Sequence, residues 1–191
     1  MNAQPEQEVF YTKQEYLDWE SQQEFRYEYR KGEVVMMAGG TLDHNRIAIN
    51  TTTALNLALR QKPCMVFGSD LKVQLADSYV YPDAFVICGD VEFADNRKDI
   101  VKNPCLLVEV LSDSTEQYDR SGKFEQYRKL PSFREYMLIF QNKPGVEIFF
   151  RQDDKHWLMT VTNDMEDTIY LQSLDITLTM REIYEKTTLV T

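Results

Sequence analysis

Glu109 is the residue whose chemistry fits its surroundings least. It stands in residues 105–111, an otherwise apolar stretch that predicts a buried strand. An ionised, unpaired carboxylate there would cost several kcal/mol. Glu109 is therefore expected to be protonated, paired with a cation or bound to a metal ion. Strand alternation predicts one face shared by Cys105, Leu107, Glu109 and Leu111. The alternative is a glutamate near the strand end that reaches water or an arginine.

Asp83 poses the same question at the start of a second apolar run. It follows Tyr81-Pro82 and precedes residues 84–88, which are apolar throughout and predict a strand covered on both faces. Proline is tolerated at the first residue of a strand, where the strand can distort. Pro-Asp alone is also a common turn dipeptide. Two acids on neighbouring buried strands, however, would suit Mg²⁺ or Mn²⁺, which bind through one or two carboxylates and keep several waters.

Lys123 adds a cation fourteen residues after Glu109, within residues 114–130, a predicted helix that Pro131 closes. If the helix begins near Asp119, a lysine in its first turns opposes the helix dipole and needs another reason to be there. A nearby pair of carboxylates would supply that reason. The alternative is an ordinary surface lysine.

Taken in order, these residues resemble the PD-(D/E)XK restriction-endonuclease-like superfamily. They are most similar to a bacterial family of proposed endonucleases long described as a domain of unknown function. The resemblance covers about residues 11–150 and is carried by Tyr27-Glu28 … Gly32-Glu33-Val34, Tyr81-Pro82-Asp83, Leu107-Val108-Glu109-Val110-Leu111-Ser112 and Thr115 … Tyr118-Asp119-Arg120 … Lys123 … Tyr127. The superfamily lysine stands two residues after the glutamate, where this chain has Leu111. The resemblance implies that Lys123 on the helix takes its place.

The resemblance implies a hydrolase, a Mg²⁺-dependent (or Mn²⁺-dependent) endodeoxyribonuclease that cuts DNA phosphodiester bonds. Asp83, Glu109 and the Val110 carbonyl would hold the ion, which would polarise a phosphate oxygen and lower the pKa of a bound water. Lys123 would orient that water or stabilise the developing negative charge. Glu28 is a further candidate, because related nucleases often add an acid from the N-terminal region.

Several alternatives stay open. Glu28 is equally compatible with an exposed hairpin acid. Asp70 and His44 are weaker candidates, and His44 is expected to cap a helix or lie on the surface. The chain could also be a catalytically inactive nuclease-fold protein that serves as a binding module. A third function is a metal-dependent phosphodiesterase for small phosphorylated or nucleotide substrates.

The charge balance bears on partners. A formal net charge of −10 argues against tight non-specific DNA binding, so DNA is expected to bind weakly or only within a local cleft. Two basic patches could form such a rim, or could be ordinary solvated charges: Arg97, Lys98 and Lys102, and Arg120, Lys123, Arg128, Lys129 and Arg134. A homodimer is expected, since cutting both strands often uses two copies of one site. Phe149, Phe150 and Trp157 could build its interface or belong to the core.

Composition and cysteine use suggest a cytoplasmic protein. Cys64, Cys88 and Cys105 are widely spaced in apolar stretches and are expected to be buried, reduced thiols, and no C-x-x-C pair indicates zinc. Residues 1–8 lack the features of a signal peptide. No apolar run approaches the roughly 20 residues of a membrane helix. The apolar share of 43% is enough for a real core.

The predicted helices and strands that must position these residues indicate an α/β (α+β) fold. The resemblance implies that residues 1–191 form a single restriction-endonuclease-like domain. Its mixed sheet is flanked by helices and followed by additional C-terminal β-hairpins. Thr12 with Glu15 forms a capping-box pattern before a helix. Helices are predicted over residues 13–20, 43–60, 114–130 and shortly after Thr179. Strands are predicted over residues 25–29, 33–37, 65–67, 71–75, 80–88, 105–111, 134–140, 146–150, 156–161 and 168–171. Residues 89–103 are expected to form an exposed loop.

Overall fold

The structure, a computed structural model, describes residues 11–37, 39–94, 97–113 and 115–190. The signal-peptide expectation for residues 1–8 and the helix start predicted at Ser114 lie outside the described residues. Among the residues described, no helix is both long and apolar enough to cross a bilayer.

The described strands form two mixed six-stranded sheets and a separate hairpin. In chain order they are β1 (Tyr27–Arg30), β2 (Glu33–Met36), β3 (Cys64–Gly68), β4 (Lys72–Gln74), β5 (Ser78–Val80), β6 (Ala84–Cys88), β7 (Phe93–Ala94), β8 (Arg97–Val101), β9 (Leu106–Leu111), β10 (Glu135–Phe140), β11 (Val146–Arg151), β12 (Trp157–Thr162), β13 (Thr168–Leu171) and β14 (Ile176–Thr179). The first sheet has the order β2-β1-β5-β4-β8-β7, the second β12-β11-β10-β9-β6-β3, and β13 pairs with β14.

Helices flank these sheets, as the sequence predicts. They are α1 (Lys13–Glu20), α2 (Leu42–Ala58), α3 (Glu116–Tyr118), α4 (Phe124–Tyr127) and α5 (Met180–Tyr184), with a π-helical segment, Asp119–Lys123, between α3 and α4. The capping boxes at Thr12 and Thr179 are both formed. Lys31 and Gly32 have positive φ angles of 53° and 104°, which the tight turn between β1 and β2 requires.

The second sheet is covered on both faces, as predicted for β6. Ala84 and Val86 pack into one apolar cluster, while Phe85 and Ile87 pack into another. Side chains of β9 divide in the same way, because successive residues of a strand point to opposite faces. Leu107 and Leu111 share the second cluster, but Cys105 packs against the first. The expectation that Cys105 shares their face is wrong, because β9 begins only at the next residue.

The chain changes sheets at Tyr81-Pro82-Asp83. It leaves the first sheet at Val80 and enters the second at Ala84, so the single strand predicted for residues 80–88 is two strands. β6 runs antiparallel to β9 with Ala84 opposite Val108, which brings Asp83 beside Glu109. β9 and β10 are parallel, so the chain between them must cross over. That crossover contains α3, the π-helical segment and α4.

The exposed loop predicted for residues 89–103 is wrong. This stretch contains β7 and β8, and Ile100 and Val101 are fully buried in the first sheet. β8 pairs in parallel with β4, some 30 residues earlier in the chain. The polar residues around Ile100 and Val101 conceal this strand, because its stability comes from a distant partner.

The expectation of three buried, reduced thiols is also wrong. Cys64 and Cys88 face each other across β3 and β6 and form a disulfide. Cys88 is exposed, and Cys105 is a half-buried free thiol. Because the register of two antiparallel strands brings Cys64 and Cys88 together, their separation in sequence gave no sign of the bond.

Candidate active site

Asp83 is held at the junction of the two sheets. One carboxylate oxygen, Oδ2, accepts a hydrogen bond from the Val110 backbone N–H at 2.7 Å. The other, Oδ1, lies 3.1 Å from Nε2 of His44. Asp83 is thereby tied to the strand that carries Glu109 and to the first turn of α2.

Glu109 is 3% exposed within β9. Its Oε1 accepts hydrogen bonds from the Lys123 ammonium at 3.1 Å and from the Tyr127 hydroxyl at 2.7 Å. Both donors come from the crossover, four residues apart, so they face the sheet from successive turns. Of the states expected for this buried acid, the structure contains the paired one.

Lys123 connects three acids from different elements. Its ammonium lies 3.1 Å from Oδ1 of Asp119, 3.1 Å from Glu109 and 3.3 Å from Oε1 of Glu28. The residue is 5% exposed and ends the π-helical segment. An ordinary surface lysine is therefore excluded. The crossover is not the continuous α-helix that the sequence suggests, and π-helical turns of this kind are frequent at functional sites.

Glu28 enters the cluster from the first sheet. Its side chain is buried, and it accepts hydrogen bonds from the Arg30 guanidinium at 2.9 Å and the Tyr81 backbone N–H at 3.3 Å. The Arg30 guanidinium in turn stacks 3.8 Å from the centre of the Tyr118 ring. Glu28 is therefore not an exposed hairpin acid, which was the alternative for this residue. Charges on Lys123 and Arg30 outweigh the effect of burial and lower the pKa of Glu28.

The cluster holds more acid than its lysine can neutralise. Burial opposes the charged ammonium, yet the carboxylates of Glu109, Glu28, Asp119 and Asp83 raise the pKa of Lys123 well above its ordinary value. Burial also raises the pKa of Glu109 well above its ordinary value; Lys123 offsets this in part, and Asp119, Asp83 and Glu28 add to it. The two shifts are compatible, because three other acids keep the lysine charged even when Glu109 holds a proton.

This excess of buried negative charge fits a hard divalent cation. The donors are carboxylate oxygens, the kind that Mg²⁺ and Mn²⁺ prefer. Oδ1 of Asp119 is buried and lacks a well-aligned hydrogen bond. Over the described ranges, no three His, Cys, Asp or Glu side chains are arranged to enclose an ion together. A site made of two carboxylates completed by water is compatible with that finding.

The structure brings most of the residues singled out in the sequence into one place. Asp83, Glu109, Lys123 and Glu28 meet there, and their catalytic and metal-binding roles, like that of the Val110 carbonyl, stay predictions. Asp70 does not join them, because its side chain is 94% exposed and pairs with Arg26.

Three further residues of the site were ranked low or missed. His44 was expected at a helix cap or on the surface, but Thr41 caps α2 and His44 contacts Asp83. Burial lowers the pKa of His44, but the hydrogen bond to Asp83 and the charges of Asp83 and Asp119 together raise it above its ordinary value. Asp119 and Tyr127 lie in the segments that carry the family resemblance but were given no role in the site. Each stands four residues from Lys123, the spacing of neighbours on a helix, and that signal could have found them.

The two predicted basic patches are engaged in part, and Arg128 and Lys129 of the second patch line a cleft. Arg97 pairs with Asp99 and Arg120 pairs with Glu116 and Glu147. That open cleft of about 220 Å³ lies at the end of α4, and no residue of the acid cluster lines it. Its lining residues are Glu125, Arg128, Lys129, Arg151, Asp154, Lys155 and Trp157. Four of these seven are basic, which is a local reversal of the overall charge.

The fold and the similarity to known proteins together define the class of protein. The chain resembles the crystal structure of a putative nuclease belonging to DUF820 from Anabaena variabilis, with a TM-score of 0.74 over 90% of this chain and 96% of that one. At 17% identity this likeness concerns the fold alone, and the fold is restriction-endonuclease-like, as predicted. Residues 13–181 match the Uma2 family, described as putative restriction endonuclease. The chain belongs to that family.

Two relatives from Synechocystis sp. (strain ATCC 27184 / PCC 6803 / Kazusa) are similar over most of their length. The uncharacterized protein slr1290 is 33% identical over 173 residues, 90% of each chain. The uncharacterized protein sll1609 is 38% identical over 151 residues, 78% of this chain and 85% of its own. The match therefore extends well beyond the segments that surround the acid cluster.

Proposed function

We propose that this chain is a metal-dependent endonuclease that hydrolyses DNA phosphodiester bonds at the cluster of Asp83, Glu109 and Lys123. Membership of the Uma2 family supports the class of activity. The observation that carries the proposal is the group of three buried carboxyls, from Glu28, Glu109 and Asp119, around one ammonium, with Asp83 beside it. Such a group is costly to bury without a purpose, because each unneutralised charge loses its hydration.

The residues divide the work according to their contacts. Asp83 and Glu109, with the Val110 carbonyl, would hold Mg²⁺ or Mn²⁺. The bound ion would supply Lewis-acid activation of a phosphate oxygen and of water. Lys123 is the nearest cation to Glu109 and would stabilise negative charge on the phosphate in the transition state. His44 and the Val110 N–H fix the Asp83 carboxylate, while Tyr127 fixes Glu109.

DNA would be held by few contacts. The basic cleft offers Arg128, Lys129, Arg151 and Lys155 for phosphates, and Trp157 for a base or sugar face. Arg128 lies five residues after Lys123, about 7.5 Å along a helix axis. We propose that it contacts phosphates flanking the one that is cut. A cytoplasmic location and a single-domain organisation belong to the same proposal.

A homodimer is also part of the proposal, and its interface is assigned to the edge strand β12 instead of the aromatic residues that were left open as interface or core. Phe149 and Trp157 pack against the core. The edge strand β12 instead exposes Leu158, Met159 and Val161. Exposed apolar edge strands invite pairing with another chain. Sedimentation velocity at micromolar concentration is expected to give a dimer, and Met159→Lys to shift it toward monomer. A monomeric wild-type protein would remove this part of the proposal.

A nicking assay tests the activity. Supercoiled plasmid is incubated with the protein and Mg²⁺ or Mn²⁺, and nicking is expected to disappear with EDTA. Asp83→Asn, Glu109→Gln and Lys123→Met are each expected to reduce the rate at least about 100-fold, the usual cost of losing a group that stabilises the transition state. Asp70→Asn is the matched control, an acid-to-amide change at an exposed residue. Equal nicking by Asp83→Asn and Asp70→Asn would sink the assignment.

One observation favours a second candidate, a nuclease-fold protein that binds a partner without catalysis. Glu109 and Asp83 already have hydrogen-bond partners within the chain, so these acids can persist as a structural ion cluster. Crystals soaked in Mn²⁺ distinguish the two functions. Anomalous density between Asp83 and Glu109 is expected for the nuclease, and its absence together with absent nicking would favour the binding module.

A further inference from the structure

Three cysteines that are far apart in the sequence meet at one end of the second sheet. Cys64 begins β3 and Cys88 ends β6, and these two are joined in a disulfide. Cys105 immediately precedes β9, and its thiol lies 3.8 Å from the sulfur of Cys88. That thiol also donates a hydrogen bond to the Val86 carbonyl at 3.3 Å, which holds it beside the disulfide. A free thiol therefore rests next to one particular sulfur of an existing bond.

We propose that Cys64, Cys88 and Cys105 form a thiol–disulfide exchange site in which Cys105 is the resolving thiol. The Cys105 thiolate attacks Sγ of Cys88, forming the Cys88–Cys105 bond. The Cys64–Cys88 bond breaks, and its electron pair leaves on Cys64 as a thiolate. Cys64 takes up the proton that Cys105 released. The step exchanges one disulfide for another, so it needs no external oxidant or reductant.

Exposure makes Cys88 the point of entry for outside thiols. Cys88 is exposed, whereas Cys64 and Cys105 are half-buried. A small thiol of the glutathione class would reach Cys88 first, and Cys105 would then displace it as the resolving group. Burial raises the pKa of the Cys105 thiol, so the attacking thiolate is a minor species. The exchange is accordingly expected on the minutes-to-hours scale of uncatalysed disulfide rearrangement.

The exchange changes which strands are linked. The Cys64–Cys88 bond ties β6 to β3, which is an edge strand of the second sheet. A Cys88–Cys105 bond would tie β6 to the start of β9 instead. These are the strands next to Asp83 and around Glu109, although the cysteines lie at the end of β6 remote from Asp83. The exchange therefore moves a covalent link from the edge of the sheet to its acid-bearing centre.

Peptide mapping tests the proposal without any assay of activity, so its outcome is independent of the proposed nuclease function. Trypsin leaves the three cysteines on separate peptides, residues 61–72, 73–97 and 103–120, since Pro63 protects the bond after Lys62. Wild-type protein is incubated with a trace of reduced glutathione, quenched in acid, alkylated and digested. Mass spectrometry is expected to find peptide 73–97 linked to 61–72 and, in a second population, to 103–120.

The variant Cys64→Ser isolates the new bond. With oxidised glutathione it is expected to form the Cys88–Cys105 link, with loss of alkylation at both thiols. The matched control Cys88→Ser keeps two cysteines but is expected to leave Cys64 and Cys105 unlinked. Circular dichroism establishes that each variant is folded. If folded Cys64→Ser carries only a glutathione adduct on Cys88, and the wild-type protein never yields the 73–97/103–120 pair, the exchange site is overturned.

Discussion

Lys123 is the residue of the acid cluster that contacts the most acids. Its ammonium is within 3.3 Å of Glu28, Glu109 and Asp119, and almost none of it reaches solvent. Removing one partner of such a buried group leaves charges with neither water nor a counter-ion. Lys123 is thus expected to stabilise the fold whether or not it also takes part in catalysis, and the two roles need separate measurements.

Lys123→Met is expected to lower the free energy of unfolding by about 3–5 kcal/mol, the usual cost of breaking a buried ion pair. Urea denaturation at neutral pH measures it. Lys129→Met, the same change at an exposed lysine, is the control and is expected to have little effect. The double variant Lys123→Met/Glu109→Gln should recover part of the loss, because it also removes a stranded acid. A loss under about 1 kcal/mol in the single variant would contradict the energetic role.

Asp99 provides a pH-dependent test outside the site. A hydrogen bond from Arg97 lowers the pKa of Asp99 to about 2, assisted by the charge of Lys72. An acid with a lowered folded pKa stabilises the fold above its unfolded pKa, and the stabilisation is lost as pH falls toward the folded value. The window is therefore from about pH 4 down to about pH 2. The carboxylate is 45% exposed, so screening by solvent limits the effect to under about 1 kcal/mol.

Asp99→Asn is expected to be less stable than the wild-type protein above pH 4 and equal to it near pH 2. Denaturation in urea across this range measures the difference. The gap should also narrow in 1 M salt, where surface charges are screened over about 3 Å. A gap that stays constant from neutral pH to pH 2 would show that lost packing, rather than charge, is responsible.

At the scale of elements, the crossover between β9 and β10 positions several residues of the site. The π-helical segment Asp119–Lys123 places Asp119, Lys123 and, one turn later, Tyr127 toward β9. Gly122 lets the segment close, because a Cβ at this position would come within 2.6 Å of the Tyr118 ring. Tyr118 in turn stacks on Arg30, which holds Glu28. The absence of a Cβ at residue 122 therefore leaves room for Tyr118, whose contact with Arg30 reaches Glu28 in the first sheet.

Gly122→Ala is expected to displace the Tyr118 ring and to cost about 1–3 kcal/mol, as overpacking usually does. Urea denaturation measures the loss, and nicking activity is expected to fall with it. Ser121→Ala is the control, since Ser121 is exposed and immediately adjacent. If Gly122→Ala matched Ser121→Ala in both measurements, the close contact with Tyr118 would be of no consequence.

Local patterns predicted the elements best where one face or one cap decides them. The capping box at Thr12, the turn at Gly32 and the apolar runs of β6 and β9 are all present in the structure. The strand β8 escaped prediction, because its partner lies some 30 residues away in the chain. Pairing between distant strands leaves little trace in a local pattern, and the same limit concealed the Cys64–Cys88 bond.

The candidate site was predictable in part for the same reason. Glu109 stands out because a carboxylate within an apolar strand is chemically conspicuous, and Asp83 because it directly precedes one. Lys123 was indicated by its position against the helix dipole and then by the family resemblance. His44 did not stand out, because only the packing of α2 against the end of β6 brings its ring to Asp83. A contact between elements that are remote in the chain has no signature at either residue alone.

At the scale of the whole molecule, the net charge of −10 sets how DNA can be held. A net negative charge opposes the approach of a phosphate backbone, and the cleft at the end of α4 gathers four basic side chains at one place. Binding is therefore expected to be weak and to depend on those few contacts. Its dependence on salt reports their number, because each neutralised phosphate releases counter-ions.

The slope of log affinity against log salt concentration is expected to be no steeper than about −4, since four basic side chains neutralise at most four phosphates. Fluorescence anisotropy with a labelled duplex and inactive Glu109→Gln measures it. Arg128→Gln is expected to reduce the slope by about 1. Arg134→Gln, an exposed arginine outside the cleft, is the control. An unchanged slope in Arg128→Gln would place the DNA elsewhere.

Supplying the ammonium from the crossover frees the strand from carrying it. Leu111 occupies the position where the superfamily has its lysine, and it is 3% exposed and packs into the core. Leu111 of β9 can therefore stay in the apolar core, because the crossover between β9 and β10 supplies the positive charge. A search that requires the lysine two residues after the glutamate on one strand would miss this chain. One that asks which side chains converge in three dimensions would retrieve it.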